Sequence, residues 1–303
     1  MNVKDLAYVF GCSALLAASY LQADGQLVVN GGFETGDFTG WTTESQTESG
    51  NWVVYSGTTA PISGNTVPPH PQGLHAALAD QTNMASMILY QDIALPAGSR
   101  YLLSFEYYYV NFANFYSPPS LNCFNAPNQQ ARIDIVSPSA SDTYSVDAAD
   151  ILANIFQTSP ESSPSLYGPA TIEYDMTPFA GQTVRLRFAC VNSEYYFNVG
   201  VDNIQITTLN DLNPPNNLQG KVITNGYFND LTYSHFIYWD SSSTVGSLLG
   251  YRVYCDGNLV ATIPTEGPLQ YENRFCSPHV AASYTVTAFD VIGESDPVTI
   301  TLQ

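Results

Sequence analysis

Residues able to do chemistry are scattered thinly through this sequence. The four histidines, His70, His75, His235 and His279, fall in no metal-ligand spacing, and no HExxH occurs. "GESDP" at residues 293–297 lacks the second glycine of a nucleophile elbow, and there is no phosphate-binding loop or dinucleotide fingerprint. Glu106 and Asp134 could face each other as the carboxylate pair a glycosidase needs. With 27 acidic residues in the chain such coincidences are expected, so the main expectation is no catalysis. What is concentrated is aromatic. Tyr107, Tyr108 and Tyr109 run together, Phe112, Phe115 and Tyr116 follow, and Tyr195, Tyr196 and Phe197 form a second run. Such rings can pack against pyranose C–H faces while a few polar groups, here Arg132 and Arg187, fix hydroxyls. The competing reading is that the rings pack between sheets, which tyrosine does readily.

The elements that must position these residues are strands. Short runs rich in β-branched and aromatic residues, such as "NWVVYSG", "HAALAD", "SMILYQDIAL", "RYLLSFEYYYV", "ARIDIVS" and "TVRLRFACV", alternate with Gly, Pro, Asn and Ser. Helical periodicity is confined to "DAADILANIF" at residues 147–156, which predicts a helical turn or two. The chain reads as all-β. Strand alternation sets Phe105, Tyr107 and Tyr109 on one face and Glu106, Tyr108 and Val110 on the other. One set must be core, which leaves the other as the candidate platform.

The N-terminus combines Lys4, an apolar run over residues 6–21 and a small residue at position 23, the pattern of a cleaved secretory signal peptide over residues 1–23, with a retained anchor helix as the alternative. No later run is long enough to span a bilayer. A net charge of −19 repels phosphate backbones and excludes nucleic acid as a natural partner. In an exported chain the four remaining cysteines predict two disulfides. "NDLNPPNN" at residues 210–217 marks a boundary between residues 24–211 and 212–303. Of three possible pairings, that division favours Cys123–Cys190 and Cys255–Cys276, with buried free thiols as the alternative.

Two resemblances sharpen this. In residues 212–303 Asp256-Gly257 is a tight-hairpin dipeptide, and the Pro-Pro entry, Trp239, Tyr251 and "YTVTAFDVIGESDPV" fall in the order of a fibronectin type III domain, which this segment resembles. The resemblance implies an immunoglobulin-fold sandwich and a spacer or docking role, with Tyr284 at the tyrosine corner, its hydroxyl capping backbone groups. The N-terminal segment opens on "NGGFETGDFTGW" and closes on Val201-Asp202-Asn203-Ile204. That order resembles the galactose-binding-like jelly-roll carbohydrate-binding modules and the related meprin-type (MAM) domains. It implies a jelly-roll β-sandwich whose first turn and last strand lie together, with Phe33 and Trp41 in the core. It also implies a structural Ca²⁺ held by Glu34 and Asp202, with Asp37 in reserve. The expected protein is secreted or at the cell surface and non-catalytic, with a glycan as partner. The alternatives are a structural or adhesive protein acting on surface or matrix proteins and, more weakly, a glycoside hydrolase.

Overall fold

In strand after strand apolar side chains recur at every second position, and in the computed structural model they close two sandwiches. The structure describes residues 27–161, 165–227, 230–277 and 280–303. The expected signal peptide and His279 lie outside the described residues.

The first sandwich is a jelly roll of two five-stranded antiparallel sheets. One sheet holds β1 (Thr42–Ser45), β4 (Ala85–Ala94), β6 (Gln129–Val136), β7 (Ile151–Gln157) and β9 (Thr183–Asn192), in the order β1-β4-β9-β6-β7. The other holds β2 (Gly50–Tyr55), β3 (Ala76–Gln81), β5 (Arg100–Asn111), β8 (Leu166–Asp175) and β10 (Phe197–Leu209), in the order β2-β3-β10-β5-β8. Between them lies one core that takes Leu103, Phe105, Tyr107 and Tyr109 from β5, Ile133 and Ile135 from β6, and Leu186, Phe188 and Cys190 from β9.

Both outer faces are covered. The loop at residues 57–73 lies over β3 and β5, where Ala60 and Val67 pack with Tyr55, Leu78 and Tyr108. It is pinned because buried Asp80 accepts from the amides of Ile62 and Ser63 and from Asn198 Nδ2. On the other sheet, Leu121 and Cys123 from one insertion and Tyr144 and Val146 from a second pack on Ile88, Ala189 and Val191.

Of residues 147–156, only the first five close a single turn, in which the amides of Asp150 and Ile151 donate to Asp147 O at 2.9 and 3.0 Å; the rest is extended. Ile151–Gln157 is strand β7, which completes the free edge of β6 and half-buries Ile151, Ala153 and Ile155 in alternation. Pairing to an open sheet edge overrides a weak local preference.

The opening turn docks on the last strand of the sandwich. Gly31 O accepts from Ile204 N at 2.9 Å, where β10 carries a bulge between Asp202 and Gln205. A Cβ on Gly31 would sit 1.9 Å from Ile204 O, so only glycine allows this approach. Phe33 and Trp41 enter the core with ring centroids 5.6 Å apart.

The second sandwich is fibronectin type III-like. Its three-stranded sheet contains β11 (Asn216–Tyr227), β12 (Asp230–Asp240) and β15 (Gln270–Cys276). Its four-stranded sheet, in the order β14-β13-β16-β17, contains β13 (Gly250–Cys255), β14 (Asn258–Pro264), β16 (Ala282–Phe289) and β17 (Val298–Leu302). Trp239 and Tyr251 pack in its core at 5.8 Å. Asp256 and Gly257 both have positive φ, as a tight two-residue hairpin requires. The Tyr284 hydroxyl departs from the expected backbone cap. It meets His235 Nδ1 at 3.0 Å and accepts from Asn273 Nδ2 at 2.8 Å, whereas Tyr251 takes the backbone bond, accepting from Ser242 N at 2.8 Å. Between the sandwiches Arg100 makes a bidentate pair with Asp290, at 2.8 and 3.1 Å.

None of the four cysteines is disulfide-bonded. Cys190 points into the first core and Cys123 lies on the opposite face of the same sheet, so β9 separates them. Cys255 and Cys276 belong to opposing sheets but border the same residue, Asn273. Asn273 Nδ2 is 3.9 Å from Cys255 Sγ, and Cys276 Sγ is 3.2 Å from Asn273 O.

Candidate functional site

The expected tyrosine platform does not exist on either face of the first sandwich. Tyr107 and Tyr109 are core residues, Tyr109 stacking on Tyr167 at 5.3 Å. Tyr108 points outward but is buried under the 57–73 loop, where its hydroxyl bonds to that of Tyr55. Its ring fills the space beside Gly200, whose Cβ would fall 2.0 Å from Tyr108 Cζ. A third layer of loop over each sheet turns outward-facing positions into interior.

Arg132 and Arg187 do not serve as exposed anchors. Both converge on Asp134, which is inaccessible to solvent. Arg187 Nη2 donates to Asp134 Oδ2 at 2.7 Å, while Arg132 donates from Nε at 2.9 Å to Oδ2 and from Nη2 at 2.8 Å to Oδ1. Burial pushes the Asp134 carboxyl upward, but the two guanidiniums outweigh it and hold the group below the ordinary carboxylate range. Arg187 Nη1 also donates to the carbonyls of Thr143 and Ser145, each at 2.8 Å, and so straps the second insertion to the sheet. Glu106 sits on the other sheet and accepts from Thr171 Oγ1, so it cannot pair with Asp134.

Glu34 and Asp202 do come together, and Asp37 does not join them. A Cβ built on Gly32 would lie 3.7 Å from Glu34 Cγ and 3.8 Å from Asp202 Oδ1, placing the two side chains around one turn. The amides of Leu74 and His75 donate to Glu34 Oε1 and hold its carboxyl below the usual range. Asp202 is pushed up to about 6 by burial, against the amides of Gln72 and Asn203, with the charge of Glu34 adding to the rise. An exposed carboxylate, Glu34, and a buried one, Asp202, at one turn suit a hard cation with oxygen ligands. Asp37 bonds within its own turn, to Thr35 Oγ1 at 2.7 Å and Thr39 N at 3.0 Å. Among the described residues no group of three or more His, Cys, Asp and Glu is placed to hold a metal, so a cation here would depend on backbone carbonyls as well.

The exposed aromatics gather at one end of the first sandwich instead, where the β3–β4 turn, the loop after β5 and the β9–β10 turn meet. Tyr195 and Tyr196 belong to that last turn; only Phe197, a core residue, is in the strand. Phe112 is 52% exposed and Tyr195 57%, their centroids 6.5 Å apart, and Tyr196 lies edge-on to Tyr195 at 5.0 Å. Beside the rings is a recess of about 220 Å³ lined by Asn83, Asn192, Ser193, Glu194, Tyr195 and Tyr196, among others. Its walls are fixed. Asn192 bonds to Ala85 N and Asn83 O, Gln129 Nε2 donates to Tyr195 O, and Phe112 N donates to Tyr196 O. Sequence analysis does not single out the polar members Asn83, Asn192, Ser193 and Glu194, the last three of which lie in "VNSEYYF" at residues 191–197. The Asn192-Ser193 pair is a turn signal that points to those three. A second, mostly polar recess of about 360 Å³ lies between the two insertions, bordered by Asn122, Tyr144 and Asp150.

No family model matches this chain, and no curated protein matches it. Among solved structures it is similar to a carbohydrate-binding module, TmCBM61, in complex with β-1,4-galactotriose. That match has 16% identity and a TM-score of 0.37, over 61% of this chain and 99% of that one. It is similar to the K3 cleaved adhesin domain of Lys-gingipain from Porphyromonas gingivalis at 16% identity and TM-score 0.37, over 59% and 98%. The adhesin domain of Epf from Streptococcus pyogenes matches at 11% identity and TM-score 0.25, over 92% and 96%. Among the described residues no helix is long and apolar enough to cross a membrane.

Proposed function

We propose that this is an exported, non-catalytic binding protein that grips a glycan at the rim of its first sandwich. In this reading residues 24–211 and 212–303 are two domains, related to the jelly-roll carbohydrate-binding modules and to fibronectin type III domains, and the second acts as a spacer. The observation that carries the reading is the exposed Phe112–Tyr195 pair beside a recess of fixed amide, hydroxyl and carboxylate groups. Flat apolar walls with a few convergent polar groups are what a pyranose requires. Glu34 and Asp202 would hold a structural Ca²⁺ that stiffens the opening turn, and Cys255–Cys276 would close as a disulfide in an oxidising compartment. Glycan-array screening and calorimetry test the reading. Tyr195→Ala and Phe112→Ala abolish saccharide binding with melting temperature unchanged, because both rings stand at the surface. Failure to bind any saccharide, or turnover of one, overturns it.

A second reading, adhesion through protein contacts, is favoured by the joint between the sandwiches. Besides Arg100–Asp290, Asn210 Nδ2 donates to Val245 O at 2.6 Å. Concentration-dependent self-association without saccharide binding would select it.

A further inference from the structure

The rim site has a charge character that narrows its ligand. Among its lining residues Glu194 is the one charged group, exposed, with Oε1 accepting from Ser193 Oγ at 3.0 Å. No lysine or arginine lines the recess. Nor is a guanidinium available to swing in. All six arginines are paired with carboxylates of the same chain: Arg100 with Asp290, Arg132 and Arg187 with Asp134, Arg185 with Asp92, Arg252 with Glu294 and Arg274 with Glu272. Lys221 lies in the second sandwich, its Nζ over the Phe236 ring at 5.3 Å. Recognition of a carboxylate or sulfate normally takes a guanidinium or ammonium, for the strength of charge-assisted bonds. Here the whole molecule, at −19, repels such groups and draws cations toward its surface.

Resting on the glycan reading above, we infer that the rim site selects saccharides bearing a free amine over their neutral counterparts, and rejects anionic ones. The ammonium of an amino sugar pairs with Glu194 while its ring lies against Tyr195 and Phe112, where a cation over an aromatic face gains further attraction. Because Glu194 is exposed, the added discrimination is small. An exposed ion pair at about 0.2–1 kcal/mol converts to a preference of up to about five-fold. That preference falls as salt screens the pair.

The test is calorimetric titration at physiological salt with short β-linked oligomers in both gluco and galacto configuration. Each is supplied as the free amine, the N-acetylated sugar, the plain hydroxyl sugar and the uronate. The expected result is tightest binding of the amine form in the configuration that binds, weaker binding of the neutral forms and none of the uronate. Glu194→Gln brings the amine form down to the neutral level, and Tyr195→Ala abolishes binding of all. Neutral or uronate forms that bind as tightly as the amine form, with binding still lost in Tyr195→Ala, overturn the selectivity and leave the glycan site standing. Amine binding that survives both substitutions is attraction to the acidic surface at large and overturns it equally. No binding of any series overturns the glycan reading itself.

Discussion

Asp134→Asn is the substitution with the largest consequence that the structure allows to be worked out. Four donors converge on the two carboxylate oxygens: Arg132 Nε and Arg187 Nη2 on Oδ2, Arg132 Nη2 and Asn154 Nδ2 on Oδ1. An asparagine keeps one acceptor and replaces the other with an NH₂. Whichever way the amide is turned, two donors lose their acceptor and face another donor. The Arg187 side chain is fully buried and that of Arg132 is 10% exposed, so water cannot replace what is lost. Two charge-assisted bonds at about 1.5–3 kcal/mol each, or equivalently one unbalanced buried charge at about 3–5 kcal/mol, describe the same loss. The expected cost is therefore about 3–5 kcal/mol. Urea unfolding followed by fluorescence in a Trp239→Phe background leaves Trp41 and Trp52 to report on the first sandwich. The midpoint should fall by roughly 1–3 M. The triple variant Arg132→Met, Asp134→Leu, Arg187→Met removes all three charges together and should recover most of the loss. A cost below about 1 kcal/mol for Asp134→Asn, or a triple variant as unstable as the single, would refute the argument that balanced burial holds this network together.

The same carboxyl predicts a pH dependence. Its folded-state pKa is lowered, so its contribution is present above the unfolded value near 4 and is lost as pH falls through the folded value. Acid unfolding of Asp134→Asn should lack that limb of the stability curve. Calcium at about 100 times its dissociation constant should add about 2.7 kcal/mol, raising the melting temperature of the first sandwich by roughly 5–10 °C. Glu34→Gln and Asp202→Asn should lose that increment and Asp37→Asn should keep it; a wild-type melting curve insensitive to calcium and chelator removes the ion from the account. Oxidised glutathione should couple Cys255 to Cys276, each thiol giving up a hydrogen and the reagent leaving as reduced glutathione. The product is two hydrogens lighter by mass spectrometry and more stable by about 3 kcal/mol. Cys123 and Cys190 should stay unreactive until the chain unfolds, and a protein that retains four titratable thiols after this treatment counts against the pairing.

Much of the architecture was legible from local chemistry. Alternation in β5 separated Tyr107 and Tyr109 from Tyr108 correctly, because pleating sends successive side chains to opposite faces whatever surrounds them. The resemblance of the opening turn and the last strand to jelly-roll modules implied that they lie together, and Gly31 meets the Ile204 backbone in close contact. The polar loops were harder to place. Nothing in the composition of residues 57–73 or 137–150 says which surface they cover. That choice follows from long-range bonds such as Asp80 to Ile62 and Arg187 to Thr143 and Ser145.

What the sequence determined by itself was the all-β class, most of the strands and the two-sided alternation of β5, since these depend on neighbours one or two residues away. What only the tertiary structure decided was which outward sides reach solvent. Loops folded back over both sheets of the first sandwich, so Tyr108, Arg132 and Arg187 became interior, and β9 came between Cys123 and Cys190. Exposure of a ring or a charge is set by residues far away in the chain, and so the candidate site moved from the strand faces to the rim at Phe112 and Tyr195.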